Sequence, residues 1–180
     1  MDQTIELVPL VCPKCSKAVP AEPGEAAWAC TQCGQGLALD SVKGLVPITI
    51  AYAAGAAPNV PGKPFWVADG TVALRRTAYK SNSASTRDAE QFWSAPRRFY
   101  IPAYRLDTET FIKTGAALLE RPPAVQPGTP FPFEPVTVAM EDLQPIGEFL
   151  VMGVEAARKD AIREVAFSLR LSAPALWILP

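Results

Sequence analysis

The sequence predicts an α+β fold, mainly antiparallel β, with a small cysteine-bearing unit at residues 1–44 and a β-rich domain with one or two helices at residues 45–180. Three observations lead to this prediction. All four cysteines lie near the N-terminus, segments rich in β-branched and aromatic residues recur through the rest of the chain, and one segment repeats apolar residues at helical spacing. A chain of 180 residues can bury a core without disulfide bonds.

Strands are expected where β-branched and aromatic residues run between prolines or glycines. Near the C-terminus, Val165, Phe167 and Leu169 alternate with smaller or polar residues, so one face of that strand should meet the core and the other should meet solvent. The predicted strands span residues 46–54, 65–74, 98–105, 149–156, 165–171 and 175–179.

One helix is predicted over residues 109–120, where apolar residues recur at helical spacing. Asp107 or Thr108 can cap its N-terminus, and Pro122 and Pro123 end it.

A proline-rich connector follows at residues 121–135. Its six prolines favour a stiff, extended backbone. Such a run either lies over the core, held there by Phe131 and Phe133, or binds an aromatic groove of a partner protein. We favour packing over the core.

The four cysteines form two C-x-x-C pairs, CPKC and CTQC, with 14 residues between the pairs. Each pair can wrap a tight turn that aims both sulfurs at one point, and two such turns complete a tetrahedron of thiolates. Gly34 follows the second pair and tolerates the positive φ that such a turn needs, whereas Ser16 holds that place after the first pair. The pattern predicts one structural Zn²⁺ with four thiolate ligands, Cys12, Cys15, Cys30 and Cys33.

Three other interpretations of the cysteines stay open: two disulfides, a redox-active dithiol, or iron held by the same four thiolates. Disulfides belong to oxidising compartments. No secretory leader and no apolar run long enough to cross a bilayer is visible in the sequence, so we expect a cytoplasmic protein without a transmembrane segment. Four protein ligands would also leave zinc no open position for catalysis.

The run CPKC…CTQCG, followed by an apolar strand, resembles the zinc-ribbon or rubredoxin-like knuckles of transcription factors, polymerase subunits and ribosomal proteins. Three further segments resemble a group of uncharacterised bacterial zinc-ribbon proteins: PFWVADG at 64–70, RRFYIPAY at 97–104, and VEAARKD at 154–160 with a closing hairpin to the C-terminus. The resemblance implies peripheral association with the membrane, near scaffold proteins of the band-7 type. It implies no catalytic residue.

Charge is distributed unevenly along a chain whose net charge is -1. Residues 70–106, here called the basic region, carry seven basic and two acidic side chains, and both flanking segments are acidic. Aromatic residues lie beside the basic ones, which suits contact with a partner or with single-stranded nucleic acid. The candidate contact residues, expected on one shared exposed side, are Arg75, Arg76, Lys80, Arg87 and at least one of Arg97 and Arg98.

Two further expectations concern the basic region. Residues 80–90, rich in serine, threonine and asparagine, should form a flexible loop at its edge. If the arginines are instead neutralised locally, the partners would be carboxylates of the C-terminal segment such as Glu141, Asp142, Glu148 and Glu155.

The absence of histidine excludes mechanisms that need an imidazole base or ligand. Paired carboxylates remain as catalytic candidates, namely Glu148, Glu155 and Asp160, but pairing with a neighbouring arginine is the simpler expectation. We therefore expect no enzymatic activity. The leading hypothesis is a zinc-binding adaptor or subunit that makes protein–protein contacts in a larger assembly; the alternative is a nucleic-acid-binding module that uses the basic region.

Overall fold

The computed structural model describes residues 9–78, 83–158 and 162–180. It confirms the predicted class, an α+β fold with mostly antiparallel sheets. The strands are β1 (Ala27–Ala29), β2 (Gly36–Asp40), β3 (Gly44–Ile48), β4 (Ile50–Tyr52), β5 (Lys63–Ala78), β6 (Arg97–Pro102), β7 (Ile162–Leu171) and β8 (Ala175–Leu179). The helices are α1 (Ser83–Trp93), α2 (Thr108–Glu120) and α3 (Leu143–Ala156), and a 3₁₀ turn (Met140–Asp142) precedes α3.

A three-stranded antiparallel sheet carries the second cysteine pair. Its central strand is β2, in which Leu37 pairs with Trp28 of β1 and Ala38 pairs with Val46 of β3. Side chains alternate across a strand. Leu37 therefore enters a small core around the cysteines, whereas Ala38 enters the main core, so this sheet contributes to two cores.

The larger sheet is built around β5, a strand of 16 residues. Gly70 pairs with Arg97 of β6 on one edge and with Leu171 of β7 on the other. β8 continues along the β7 edge, where Ala175 pairs with Val67, and β4 joins β8 in parallel. The hairpin expected near the C-terminus is therefore wrong. β7 and β8 lie end to end along the same edge of β5, and the chain does not reverse its direction between them.

The main core lies between the larger sheet and the helices. Even-numbered residues of β5, including Trp66 and Val72, point into it and meet Phe99 of β6. α2 and α3 lie close together, since a Cβ on Gly115 would come within 2.6 Å of the Leu150 side chain. The helix predicted over 109–120 is confirmed as α2, and the amide of its residue Thr110 donates to the Asp107 side chain.

The opposite face of the larger sheet carries a second apolar cluster. Phe65 and Val67 of β5 pack there with Tyr100 of β6, and Trp177 of β8 and Val125 of the connector lie against them. Both faces of β5 are thus buried along its first half. The connector supplies part of that cover.

The proline-rich connector lies over the body of the protein, as the favoured interpretation predicted. Phe131 and Phe133 pack against the main core, with ring centres 5.6 Å and 6.3 Å from the ring of Tyr52. The division into residues 1–44 and 45–180 stays a prediction; β3, which begins at Gly44, belongs to the same small sheet as β1 and β2.

The loop predicted over 80–90 is wrong for the part that the structure describes, where α1 begins at Ser83. The apolar residues that anchor this helix are Ala89, Phe92 and Trp93, at helical spacing. Phe92 and Trp93 lie beyond the end of the segment 80–90. Ser83, Ser85 and Thr86 therefore lie on a helix that packing, rather than propensity, stabilises.

The strand predicted over 149–156 is also wrong, because these residues form the second half of α3. The buried residues of α3 recur at helical spacing, and Phe149 and Met152 are left exposed. Short apolar runs do not distinguish a strand from a buried helix. The helical pattern becomes clear only when the run is extended back to Leu143.

Candidate metal centre

The first cysteine pair forms a tight turn closed by backbone hydrogen bonds. The amide of Cys12 donates to the carbonyl of Lys17, and the amide of Ser16 donates to the carbonyl of Cys12, both at 2.8 Å. The turn requires a left-handed backbone at Ser16, whose φ is +57°. Serine thus adopts a conformation that glycine would adopt without strain.

The second pair repeats the same turn. The amide of Cys30 donates to the carbonyl of Gln35, and the amide of Gly34 donates to the carbonyl of Cys30, again at 2.8 Å. Gly34 has φ +71°, in the position that Ser16 holds in the first turn. The two C-x-x-C segments therefore form equivalent knuckles, as their spacing predicted.

The two knuckles bring all four sulfurs together. The ligand atoms lie within 4.8 Å of one another, with 3.7 Å between Cys12 Sγ and Cys33 Sγ and 3.6 Å between Cys15 Sγ and Cys30 Sγ. Four sulfurs bound about 2.3 Å from one ion lie about 3.8 Å apart along the edges of a tetrahedron. The donor set and its spacing fit a four-coordinate metal ion.

The same distances bear on the competing interpretations. A disulfide joins its sulfurs at about 2.05 Å, and all four cysteines are free in this structure. The separations do not distinguish zinc from iron, which four thiolates also hold.

A small apolar core encloses the cluster. Val19, Trp28 and Leu37 pack with the buried Cys12 and Cys30. These residues come from both knuckles, from the segment between them and from β2. The packing of this core therefore helps to hold the four thiols together.

The neighbouring amides and thiols shift the acidity of two cysteines in opposite directions. The amides of Cys33 and Gln32 lower the pKa of the Cys30 thiol to about 6. At Cys15 the amide of Lys17 acts to lower the pKa, but desolvation and the surrounding thiols outweigh it and raise the pKa to about 12. Of these two thiols, Cys30 is the one whose surroundings favour the thiolate.

The arginines of the basic region do not share one side of the molecule. Consecutive residues of a strand point to opposite faces. Arg76 points toward the helices, where its side chain is 1% exposed, while Arg75 is exposed on the other face. The expectation that Arg76 is exposed is therefore wrong.

The two arginines of β6 are divided in the same way. Arg97 is half-buried against α1, where it donates to the carbonyl of Phe92 at 2.8 Å and its guanidinium lies 3.9 Å from the centre of that ring. Arg98 is exposed on the other face and binds both carboxylate oxygens of Asp69, which lowers the pKa of that carboxyl. Arg87 is exposed on α1, and Lys80 lies outside the described residues.

The three carboxylates considered as catalytic candidates are not brought together as a pair. Glu148 is half-buried on α3 and accepts a hydrogen bond from Gln144. Glu155 is 1% exposed and lies in the main body of the protein. Asp160 lies outside the described residues.

Glu155 is held by three side chains, from α1, from β5 and from the turn that follows α3. Its Oε1 accepts from Trp93 Nε1 at 2.8 Å and from Arg158 Nε at 2.7 Å, and Arg76 Nε lies 3.5 Å from Oε2. Pairing with a neighbouring arginine was expected and is seen with Arg158, and the alternative that carboxylates of the C-terminal segment neutralise the basic region holds for Arg76. The contact with Trp93 is not predicted, because its sequence separation from Glu155 is too large for any local pattern to indicate it.

Comparison with family models, with curated proteins and with solved structures finds no match to this chain. In the part that the structure describes, none of the helices combines the length and the apolar character needed to span a bilayer.

Proposed function

We propose that this protein is a non-enzymatic adaptor or subunit whose N-terminal zinc ribbon holds one structural zinc ion and supports protein–protein contacts in a larger assembly. The observation that carries the proposal is the convergence of four thiols, from two equivalent knuckles, at separations that suit one tetrahedral ion. The resemblance of CPKC…CTQCG to zinc ribbons supports the same assignment.

A structural role for the metal follows from the ligand count. Four protein ligands complete a tetrahedron, and a catalytic zinc keeps one position for water or substrate. A reducing compartment such as the cytoplasm would preserve the thiols in the form that binds zinc. The proposal therefore assigns no reaction to this centre.

Two features of the described residues support a contact role over a catalytic one. Glu148 is half-buried and bonded to Gln144, and Glu155 is held by three side chains, so neither carboxylate has the paired arrangement that glycoside hydrolysis uses. Two exposed apolar residues, Phe149 and Met152, lie one helical turn apart on α3 and offer apolar surface to a partner.

Nucleic-acid binding by the basic region remains the alternative hypothesis, and the geometry favours it less. Phosphate contacts along one strand require basic side chains on a common surface. Arg76 and Arg97 face the helices, whereas Arg75 and Arg98 lie on the other face of the sheet. The strand pleat divides the positive charge that looked continuous in the sequence.

Elemental analysis of the purified full chain tests the metal. We expect one zinc per chain and no iron, with the Cys30→Ser variant losing the metal. A metal-free, folded protein with intramolecular disulfides would contradict the proposal. An iron centre would show thiolate-to-iron absorption in the visible range, which zinc lacks.

Chemical cross-linking in native extract, followed by purification of the tagged chain, tests the adaptor role. We expect defined protein partners that are lost with Cys30→Ser. Two binding assays address the other hypotheses: salt-dependent retention of labelled single-stranded DNA or RNA that weakens in Arg75→Ala would favour nucleic acid, and sedimentation with anionic vesicles would favour a membrane surface.

A further inference from the structure

A groove of about 510 Å³ lies between the cysteine-bearing sheet and the proline-rich connector. Residues 27–31, at and just after β1, form one wall, and residues 130–135 form the other. Tyr52 lines it as well, and Val19 and Pro20 contribute from the first knuckle's side. This volume falls within the roughly 300–1,000 Å³ that binding sites occupy.

The groove is open because the connector pairs with another segment instead of continuing along β1. Val136, the residue directly after the connector, bridges Ala27 of β1 in antiparallel orientation. Bonded positions alternate along an antiparallel ladder, so the next residue able to pair with β1 is Glu134, opposite Ala29. The amide of Glu134 instead donates to the carbonyl of Gly62, whose own amide donates to the carbonyl of Pro132.

The edge of β1 that faces this groove keeps backbone groups available. Hydrogen bonds from Leu39 to Ala26 and from Cys30 to Gln35 fix which residues of β1 bond to β2. In an antiparallel ladder these alternate. The amide and carbonyl of Ala29 therefore point away from β2, toward the groove, and no described residue of the connector pairs with them.

One carboxylate without a basic partner among the described residues, Glu25, lies on a wall of the groove. Glu25 accepts hydrogen bonds from two neutral donors, the amide of Glu22 and Nε1 of Trp28. Glu134 on the opposite wall is neutralised by Lys63. A zinc ion with four thiolates would add a net charge of about -2 next to this groove.

We propose that this groove binds an extended peptide segment of a partner protein, which adds a strand to the free edge of β1 and places an arginine or lysine beside Glu25. Backbone pairing at Ala29 supplies the register. Tyr52, Trp28 and the connector prolines offer apolar surface to alternate side chains of the peptide. The proposal rests on the proposed adaptor function and identifies the chemistry of its partner.

The site should depend on the metal. Cys30 and Thr31 of the second knuckle line the groove, and the knuckle fixes the end of β1. Stripping the ion would release that end and remove the wall. Peptide binding and zinc content should therefore be lost together.

Panning of a phage-displayed library of random dodecapeptides on the zinc-loaded full chain tests the inference. We expect enriched peptides to share an arginine or lysine next to residues of high strand propensity. A labelled synthetic peptide of the enriched sequence should bind in fluorescence anisotropy, lose binding after chelation, and slow the hydrogen exchange of the Ala29 amide.

Two pairs of variants locate the binding site. Thr31→Arg places a bulky cation on the groove wall and should weaken the peptide about tenfold or more, whereas Gln32→Arg, one residue along the same knuckle and outside the lining, should not. Glu25→Gln removes the charge while keeping an acceptor for Trp28 and should weaken binding several-fold; Glu22→Gln is its matched control.

Several outcomes would overturn the inference. These are the absence of any enriched peptide, enrichment of acidic peptides, and binding that Met152→Arg on α3 abolishes but Thr31→Arg leaves intact. A monomer–dimer equilibrium that Thr31→Arg disrupts would show that a second copy occupies the groove. If zinc and partners are present while these peptide tests fail, only the groove assignment is wrong; if zinc is absent, the proposed function fails first.

Discussion

Among single residues, Ser16 and Gly34 occupy the same position in two equivalent knuckles. Both have positive φ, at +57° and +71°, but only glycine adopts this region without cost. The sequence showed the missing glycine after the first pair. It could not show whether the turn would change or the serine would accept the strained backbone.

Replacing Ser16 by glycine should stabilise the first knuckle. Relief of about 1–2 kcal/mol of left-handed strain exceeds the roughly 0.5–1 kcal/mol of added chain entropy. We expect a net gain of about 0.5 kcal/mol in thermal denaturation and a slightly tighter zinc affinity in chelator competition. Gly34→Ala is the reciprocal variant and should weaken both, although open space surrounds that position. If Ser16→Gly and Gly34→Ala changed stability and zinc affinity in the same direction, left-handed strain at these two positions would not explain the result.

The buried carboxylate of Glu155 provides a second prediction for single residues. Removing one member of a buried ion pair costs about 3–5 kcal/mol, because the remaining charge keeps its desolvation penalty. Glu155→Ala should therefore lower the free energy of unfolding by this amount, as measured in denaturant. Glu120→Ala, which removes an exposed carboxylate at the end of α2, should change it by less than about 0.5 kcal/mol.

A double-mutant cycle separates the pair from general damage to the core. Arg76→Met alone should destabilise the protein, and adding Glu155→Gln should recover part of the loss while keeping an acceptor for Trp93. Additive effects of the two substitutions would show that the 3.5 Å ion pair contributes no coupling.

For whole elements, Asp107 begins α2 in the way that the sequence predicted. Hydrogen bonds from the amide and the hydroxyl of Thr110 lower the pKa of its carboxyl. A lowered folded-state pKa means that this contribution to stability is complete above the unfolded-state pKa. It is lost as the pH falls through the folded-state pKa, below about 4.

Asp107→Ala should therefore lower Tm at neutral pH by about 2–4 °C, the effect of one lost cap in a protein of this size. The gap between variant and wild type should close in acid. NMR titration of the carboxyl should give a pKa below the usual aspartate value. Asp107→Asn keeps a capping oxygen and should lose less; a gap that is independent of pH would contradict the role of the charge.

Elements with a clear period could be predicted, and elements with a divided pattern could not. α2 has both a cap and a regular apolar stripe. Apolar and polar residues alternate along β7, and β8 is an apolar run that follows a proline. The sequence therefore predicts all three elements. The helical pattern of α1 and α3 is not evident in the sequence, because the residues that anchor each helix are divided between a polar stretch and an apolar run. The spacing of Ala89 and Trp93 indicates a helix only when both are known to be buried, and their burial is evident only in the folded structure.

The charge pattern of the sequence also failed to predict how the basic side chains are arranged on the surface. Asp69 lies one residue before the basic region, so a count over residues 70–106 excluded the carboxylate that pairs with Arg98. The pleat then divided the arginines between two faces. Linear charge density does not predict a charged surface when the charges lie on strands.

Across the whole molecule, two cores meet at β2, and this arrangement determines what metal loss should do. Leu37 belongs to the core around the cysteines, while its neighbour Ala38 belongs to the main core. The first core has few apolar residues and depends on the knuckles. The second extends through β5, β6 and the helices.

Removal of the metal should therefore unfold part of the chain and leave the rest folded. Binding free energy of a structural metal becomes folding free energy of the unit that holds it. After chelation, the amides of Cys12, Ser16, Cys30 and Gly34 should lose protection from hydrogen exchange. Amides of β5 near Trp66 should keep theirs, because the main core does not contain the cysteines.

Cys30→Ser should reproduce this pattern without a chelator, and Ser16→Ala, which leaves all four ligands in place, is its control. The strand β2 should lose only part of its protection from hydrogen exchange, because one of its faces belongs to each core. We expect intermediate protection at Leu37 and Ala38, and a thermal transition in two steps instead of one. Loss of protection throughout β5 on chelation would show that the metal stabilises one cooperative unit.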